Sequence, residues 1–363
     1  MFKPNYKITP QIAKSLMQIE SFKKEISGLP LTPFVIATLQ ETARLNSVHY
    51  STYIEGNRLT IEQVEKILTR GGKFPGKEHD AKEILGYYAA LDFVLQITNK
   101  KPSITEALIQ KIHTIVMSGG EKGTKLIPYR DCQNVIKDTV TRSIVYLPPE
   151  AKDVPVLMKD FILWLWKEKD ILPCPILSGI AHYQFVTIHP YIDGNGRTAR
   201  LLATLIFHLG GYGLKGVYSL EEYYAQDLKS YYNALSIGPS HNYYMGRETA
   251  DITPWLEYFC TGVEKSFENI IKRIHKETTK ETPDQSKTIN LLDQKQRAIL
   301  TLFKKRQIIK TEDIKNHFGI PDRTARWLCL SWVKSGFLKM ADKSKKKRAY
   351  MLDPSLQQMI IKK

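Results

Sequence analysis

Residues 189 to 200 read HPYIDGNGRTAR, which sets a histidine, an aspartate, two glycines around an asparagine, and two arginines within twelve positions. A glycine-flanked turn that opens a helix presents backbone N–H groups with no intrahelical partner, backed by the positive end of the helix dipole, and so suits a phosphate. Gly194-Asn195-Gly196 is such a turn, and Leu201, Leu202, Leu205, Ile206 and Leu209 give the segment after it a helical period that stops at Gly210-Gly211. Arg197 and Arg200 stand three apart in the first turn, so they share a side and can clamp more than one phosphate. Asp193 offers hard oxygen ligands suited to a magnesium ion shared with phosphate oxygens. His189, with an ordinary imidazole pKa near ~6.5, can take a proton from a hydroxyl. Together these are parts for attack of a hydroxyl on a nucleotide phosphate. The P-loop pattern G-x-x-x-x-G-K-[ST] is absent, which argues against ordinary kinase and GTPase chemistry.

The elements that must position these residues read as mainly helical. Thr32-Pro33 is an N-cap followed by proline at the first helical position, and Pro33 to about Ile54 then lacks glycine and proline before Gly56-Asn57. Thr60 with Gln63 forms a capping box for a helix that runs to Arg70-Gly71-Gly72. Further helices are expected around 80–98, 104–117, 154–168 and 176–187. The β-branched stretch QNVIKDTVTRSIVYLPPE, 133 to 150, ends in Pro-Pro and reads as a short hairpin projecting from the helical body. HKETTKETPDQSKTIN, 275 to 290, reads as a linker. Beyond it come a helix at 294–304, a second capped by Thr311 and stopped by Gly319, and a third from Asp322 to Ser335 stopped by Gly336. FLKM and AYML follow as two strands around ADKSKKKR.

Charge is uneven along the chain. The formal net charge is +16, and Leu291 to Lys363 holds 18 Lys and Arg against 6 Asp and Glu, a local balance of +12. That asymmetry points to an acidic partner such as nucleic acid. Cys132, Cys174, Cys260 and Cys329 are scattered with no C-x-x-C pair, against a zinc site or a disulfide scaffold. The first twenty residues lack the basic start and apolar core of a secretory signal. LLATLIFHLGG, the longest apolar stretch, is about half of the ~20 residues a membrane helix needs. The expectation is a cytoplasmic protein that does not contact membranes.

The catalytic stretch resembles the signature of Fic-domain proteins, H-x-F-x-[DE]-G-N-G-R-x-x-R, at His189, Asp193, Gly194, Asn195, Gly196, Arg197 and Arg200, with Tyr191 in place of the usual Phe. The resemblance implies a Fic-type helical bundle with a small β-hairpin flap. It implies transfer of AMP from ATP onto a Ser, Thr or Tyr hydroxyl of a target protein, which can be the enzyme itself. His189 would be the base, Asp193 the Mg2+ ligand, Gly194 to Gly196 the phosphate cradle, and both arginines contacts to the triphosphate. IPYRDCQNVI and YLPP are similar to the family's flap, whose Ile136, Lys137, Asp138 and Thr139 would approach the nucleotide while the hairpin holds the target as an added strand. KSYYNAL resembles the segment whose tyrosines, here Tyr231 and Tyr232, border the adenine. STYIEGN resembles the inhibitory motif [ST]-x-x-x-E-[GN] at Ser51, Glu55 and Gly56, which implies that Glu55 pairs with Arg200 and displaces the γ-phosphate. Removal of AMP by the same site, or a DNA-binding regulator with a nucleotide-sensing body, are the alternatives.

The C-terminal elements resemble a winged helix-turn-helix. Arg323, Arg326 and Lys334 would be open to DNA, Leu328, Trp332 and Val333 would pack inward, and Lys343, Lys345, Lys346, Lys347 and Arg348 would line the wing. The expected organisation is a helical region at 1–103 carrying the inhibitory helix, the catalytic domain at 104–274, a linker at 275–290 and the basic module at 291–363.

Overall fold

The computed structural model describes residues 2–29, 31–137, 144–278, 292–342, 348–354, 356 and 357. Asp138, Thr139, Lys343, Lys345, Lys346 and Lys347 lie outside the described residues. The chain divides into two compact units, Met1–Gly28 with Gln40–Ile271, and Leu29–Leu39 with Lys272–Lys363.

The first unit is mainly helical. Its elements are α1 (Pro10–Gly28), most of α2 (Pro33–Ile54), α3 (Ile61–Arg70), α4 (Glu78–Thr98), α5 (Glu106–Ser118), strands β1 (Ile136–Lys137) and β2 (Ile144–Tyr146), α6 (Val154–Glu168), α7 (Cys174–Ile188), α8 (Asn195–Leu209), α9 (Glu221–Gln226), α10 (Leu228–Leu235) and α11 (Thr253–Thr278), whose last residues belong to the second unit. The Thr60–Gln63 capping box is formed, with Thr60 N–H donating to Gln63 Oε1 at 2.9 Å, and Gly71 ends α3 at φ 63°. The hairpin is present as an antiparallel pair, Ile136 opposite Tyr146 and Lys137 opposite Ile144, with a shift of register between them.

One core joins α2, α3, α4, α5 and α8 through Val48, Leu59, Val64, Ile84, Tyr87, Val94, Ile112, Val116, Leu201 and Leu205. At Gly86 a Cβ would overlap the Val116 carbonyl, so only glycine lets α4 lie this close to α5. α7 is apolar on almost every side and nearly all of it is buried, as a helix at the centre of a bundle must be. Trp255 of α11 closes over it, its indole N–H donating to Gly179 O at 2.7 Å. The sequence reading did not delineate α1 and α11. α11 also continues through Thr278, past residue 275 where that reading begins the linker.

The second unit contains α12 (Gln294–Lys305), β3 (Ile309–Lys310), α13 (Thr311–Phe318), α14 (Asp322–Lys334), β4 (Leu338–Asp342) and β5 (Ala349–Leu352). The strands form one sheet in the order β3-β5-β4. Ile299, Phe303, Ile314, Leu328, Trp332, Phe337, Tyr350 and Leu352 make its core, with Val333 packed at the edge. This unit departs from the sequence expectation in two places. The described residues hold three strands where two were expected, because Ile309 and Lys310 pair with Tyr350 and Ala349 in a stretch too short to show a period of its own. That pairing carries the chain straight into α13, so Lys310 holds the N-cap position and Thr311 is already helical; Lys310 N–H donates to Asp313 Oδ2 at 2.7 Å.

Among the described residues, no helix is long and apolar enough to cross a membrane.

Candidate active site

α7 ends at His189, whose backbone sits at φ 51°, ψ 59° and whose N–H donates to Phe185 O at 3.0 Å. A non-glycine residue in this left-handed region costs on the order of 1–2 kcal/mol, so the surroundings must hold it there. Arg130 does so. Buried, it donates from Nε to His189 O at 2.9 Å, from NH1 to Cys132 O at 3.1 Å and from NH2 to Pro149 O, while its own N–H donates to Pro190 O at 2.9 Å. Three carbonyls from the histidine turn and from either side of the hairpin thus converge on one guanidinium. Sequence reasoning passed over Arg130, although it stands in the quoted IPYRDCQNVI. Its signal was an arginine at the base of a hairpin.

The His189 ring is half-buried and its Nδ1 lies 3.1 Å from Val186 O. A carbonyl only accepts, so Nδ1 carries the proton and Nε2 keeps its lone pair. Burial pushes the imidazole down to about 4, against smaller upward pulls from the Val186 carbonyl, Glu55 and Asp193 and a downward push from Arg130. The ring is therefore neutral near pH 7 and able to accept a proton.

The loop from Tyr191 to Gly194 is folded onto itself. Asn195 accepts from Tyr191 N–H at 3.0 Å through Oδ1 and donates to Tyr191 O at 2.8 Å through Nδ2. Its side chain thus serves the loop. Tyr191 is 1% exposed and stacks on His113 with ring centroids 3.6 Å apart, so the ring anchors the loop in the core as the usual phenylalanine would. Its buried hydroxyl has no hydrogen-bond partner among the described residues. Gly194 precedes α8 at φ 75°, where a Cβ would stand 2.6 Å from Met117 Sδ. The first intrahelical bond of α8 is Thr198 N–H to Gly194 O at 3.0 Å, which leaves the N–H groups of Asn195, Gly196 and Arg197 at the open end of the helix.

Asp193 is 62% exposed at its side chain, with Oδ1 accepting from Gly194 N–H and Oδ2 3.1 Å from Arg197 NH2. An exposed carboxylate at the mouth of an anion cradle fits a magnesium ion that takes its remaining ligands from phosphate and water. Arg197 itself is buried and also pairs with Glu83, 2.9 Å from NH1. Arg200 turns elsewhere. Its Nε donates to Ser51 Oγ at 2.7 Å, and its NH2 donates to Ser51 O at 2.9 Å and to Glu55 Oε1 at 2.7 Å. The two guanidiniums, three residues apart, are thus held by separate carboxylates. Burial works against the charge of Arg200, but Glu55, Tyr231 and Tyr87 outweigh it and the group is held firmly protonated.

Glu55 lies against the cradle, since a Cβ at Gly196 would overlap its Oε1. Gly56 follows at φ 102°, reversing the chain just past α2. Tyr231 is buried, 4.5 Å from the Tyr224 ring, with its hydroxyl 3.3 Å from His182 Nε2. Tyr232 is 46% exposed and donates to Ile54 O at 2.9 Å. Of the hairpin residues, Ile136 is half-buried and Lys137 exposed.

Residues 103–207, which hold His189 to Arg200, match the family model described as Fic/DOC family. Two curated relatives are a protein named Protein adenylyltransferase Fic from Aedes aegypti, 30% identical over 57% of this chain and 42% of the relative, and one of the same name from Nematostella vectensis, 31% identical over 54% and 45%. The matched region spans less than half the length of either. Among solved structures, a Fic family protein from Desulfovibrio desulfuricans superposes with a TM-score of 0.60 at 21% identity over 97% of this chain and 99% of that one. A Fic domain containing signaling protein from Bacteroides thetaiotaomicron does so with a TM-score of 0.61 at 24% identity, over 72% and 97%. The fold and the His189–Arg200 loop thus resemble those of the Fic/DOC family, whose model matches residues 103–207.

Proposed function

We propose that the protein is an adenylyltransferase that moves AMP from ATP onto a Ser, Thr or Tyr hydroxyl of a target protein, and that Glu55 restrains it. The observation that carries the reading is the His189 imidazole, whose Nδ1 faces Val186 O and so leaves Nε2 as the proton acceptor, at the turn that leads into the open N-terminus of α8. The target hydroxyl attacks the α-phosphorus of ATP, its proton passes to His189 Nε2, and pyrophosphate leaves. The N–H groups at the start of α8 bind the phosphates, with Arg200 as a further cationic contact once it is released. Asp193 would hold magnesium, which neutralises phosphate charge when bound. The hairpin offers a strand edge for the target backbone. The relatives named Protein adenylyltransferase Fic support AMP transfer as the family-level chemistry.

The Glu55–Arg200 pair supports restraint. A charge pair at ~4 Å is worth about 4 kcal/mol of gross attraction at an effective dielectric of 20, enough to compete with one phosphate contact. ATP labelled at its α-phosphate tests both parts. Glu55→Gly should raise self-labelling at least about tenfold, equivalent to ~1.4 kcal/mol in the barrier, and adding Arg200→Ala should remove most of the gain. No covalent label in either the parent or Glu55→Gly would refute AMP transfer and leave a nucleotide-sensing role. Lower labelling in Glu55→Gly, together with lost removal of AMP, would assign Glu55 to the reverse reaction.

For the second unit the proposal is a winged helix-turn-helix that binds duplex DNA. Its three helices, its sheet and the +12 charge of residues 291–363 support that reading.

A further inference from the structure

Glu55 sits just past the end of α2, and a side chain there can restrain Arg200 only if the helix that delivers it is held in place. Ser47, Ser51 and Glu55 are spaced four apart, so they share one face of α2 and its final turn. Ser51 and Glu55 meet Arg200. One turn earlier, the buried Ser47 donates from Oγ to Glu221 Oε2 at 2.9 Å, and the adjacent Asn46 donates from Nδ2 to Glu222 Oε2 at 3.1 Å. Glu221 is 3% exposed, and its charge is solvated by three hydroxyls in place of water: Ser47 and Ser219 at Oε2, each at 2.9 Å, and Tyr87 at Oε1, also at 2.9 Å. Glu221 and Arg200 also line the same small cavity of about 10 Å³, together with Tyr218 and Tyr224, whose buried hydroxyls have no hydrogen-bond partner among the described residues.

We propose that Glu221 and Glu222, at the start of α9, are a second latch on α2, and that the restraint assigned to Glu55 depends on it. The inference rests on the Glu55 reading above. The latch fixes the rotation and axial position of α2 before Glu55 is used, so the carboxylate reaches Arg200 with little further ordering. It also leaves a second carboxylate beside the buried guanidinium when Glu55 gives way to a nucleotide. Glu221 and Glu222 are positioning residues and need touch neither ATP nor target.

The test uses the full chain, ATP labelled at the α-phosphate, and hydrogen exchange of the α2 amides. Asn46→Ala with Ser47→Ala should raise self-labelling roughly fivefold or more, since hydrogen bonds to a charged group are each worth about tenfold or more, and should speed exchange across residues 47–54. Glu222→Ala, which leaves the buried Glu221 in place, is the milder variant and should move both readouts the same way. In a Glu55→Gly background the Asn46 and Ser47 substitutions should add nothing, whereas a general loosening of the fold would change labelling in either background. Unchanged labelling and exchange in the Asn46/Ser47 variant, beside a raised Glu55→Gly, would overturn the latch, as would a full additional gain on top of Glu55→Gly. No gain in Glu55→Gly itself would overturn the restraint reading and the regulatory half of this proposal with it; the exchange rates would then decide the latch alone.

Discussion

A single hydrogen bond sets which nitrogen of His189 can act. With Nδ1–H given to Val186 O, Nε2 is the acceptor, and burial keeps the ring neutral down to about pH 4. His189→Ala should lower labelling by roughly two to four orders of magnitude while ATP binding persists, because a proton acceptor acts on the transition state more than on the ground state. The sign of the pH dependence follows from the lowered value. The reactive neutral form gains as pH rises through about 4, so labelling by Glu55→Gly should climb between pH 3 and 5 and owe no further rise to this group up to pH 8. Glu55 is one of the groups that pull the imidazole up, so its removal moves the midpoint down and never toward 6.5. A rate that halves near pH 6.5 in that variant would show that burial does not set the base.

At the scale of elements, α7 and α8 are joined by a turn that closes on itself through Asn195 and is tied to the base of the hairpin through Arg130. Hydrogen bonds to a charged group contribute about 1.5–3 kcal/mol, and removing the guanidinium leaves the buried Pro149 carbonyl and two part-buried carbonyls unmatched. Arg130→Ala should therefore lower stability by about 2 kcal/mol or more in a denaturant melt. In a Glu55→Gly background it should also slow labelling, because His189 and the hairpin lose their common support. Arg130→Lys should recover little of either, since a lysine cannot present the forked geometry that three carbonyls meet. Full activity in Arg130→Ala would mean that α7 and α8 fix the turn unaided.

At the scale of the whole molecule, the excess positive charge is concentrated in the second unit. On α14, Arg323 and Lys334 are exposed and Arg326 pairs with Asp322 at 2.8 Å. Trp327 and Leu330 lie exposed between them, at 65% and 45%. If the unit grips duplex DNA, affinity should fall steeply with salt, by a slope of roughly −0.9 in log K against log salt for each phosphate neutralised. Titration of a fluorescent duplex across salt concentrations measures this, with Arg323→Ala and Lys334→Ala each flattening the slope. Salt-insensitive binding, or none, would turn the reading toward a protein that covers Trp327 and Leu330.

By itself the sequence determined what is local. The α2 and α3 boundaries, the Thr60–Gln63 cap, the hairpin and the α8 N-terminus follow from caps, glycines and periods that act within a few residues, and so they are legible along the chain. The likeness of His189–Arg200 and of Ser51–Gly56 to known motifs was legible for the same reason. Tertiary structure decided what depends on packing between distant segments. Arg197 and Arg200 look alike by spacing, yet one meets Glu83 of α4 and the other Glu55 just past α2, which only the packing of those helices decides. The two-residue strand β3, the clamp at Arg130 and the anchoring of Ser47 on Glu221 all pair residues far apart in the chain. Such pairings carry no period and no fixed spacing, and only the folded core brings them within hydrogen-bonding distance.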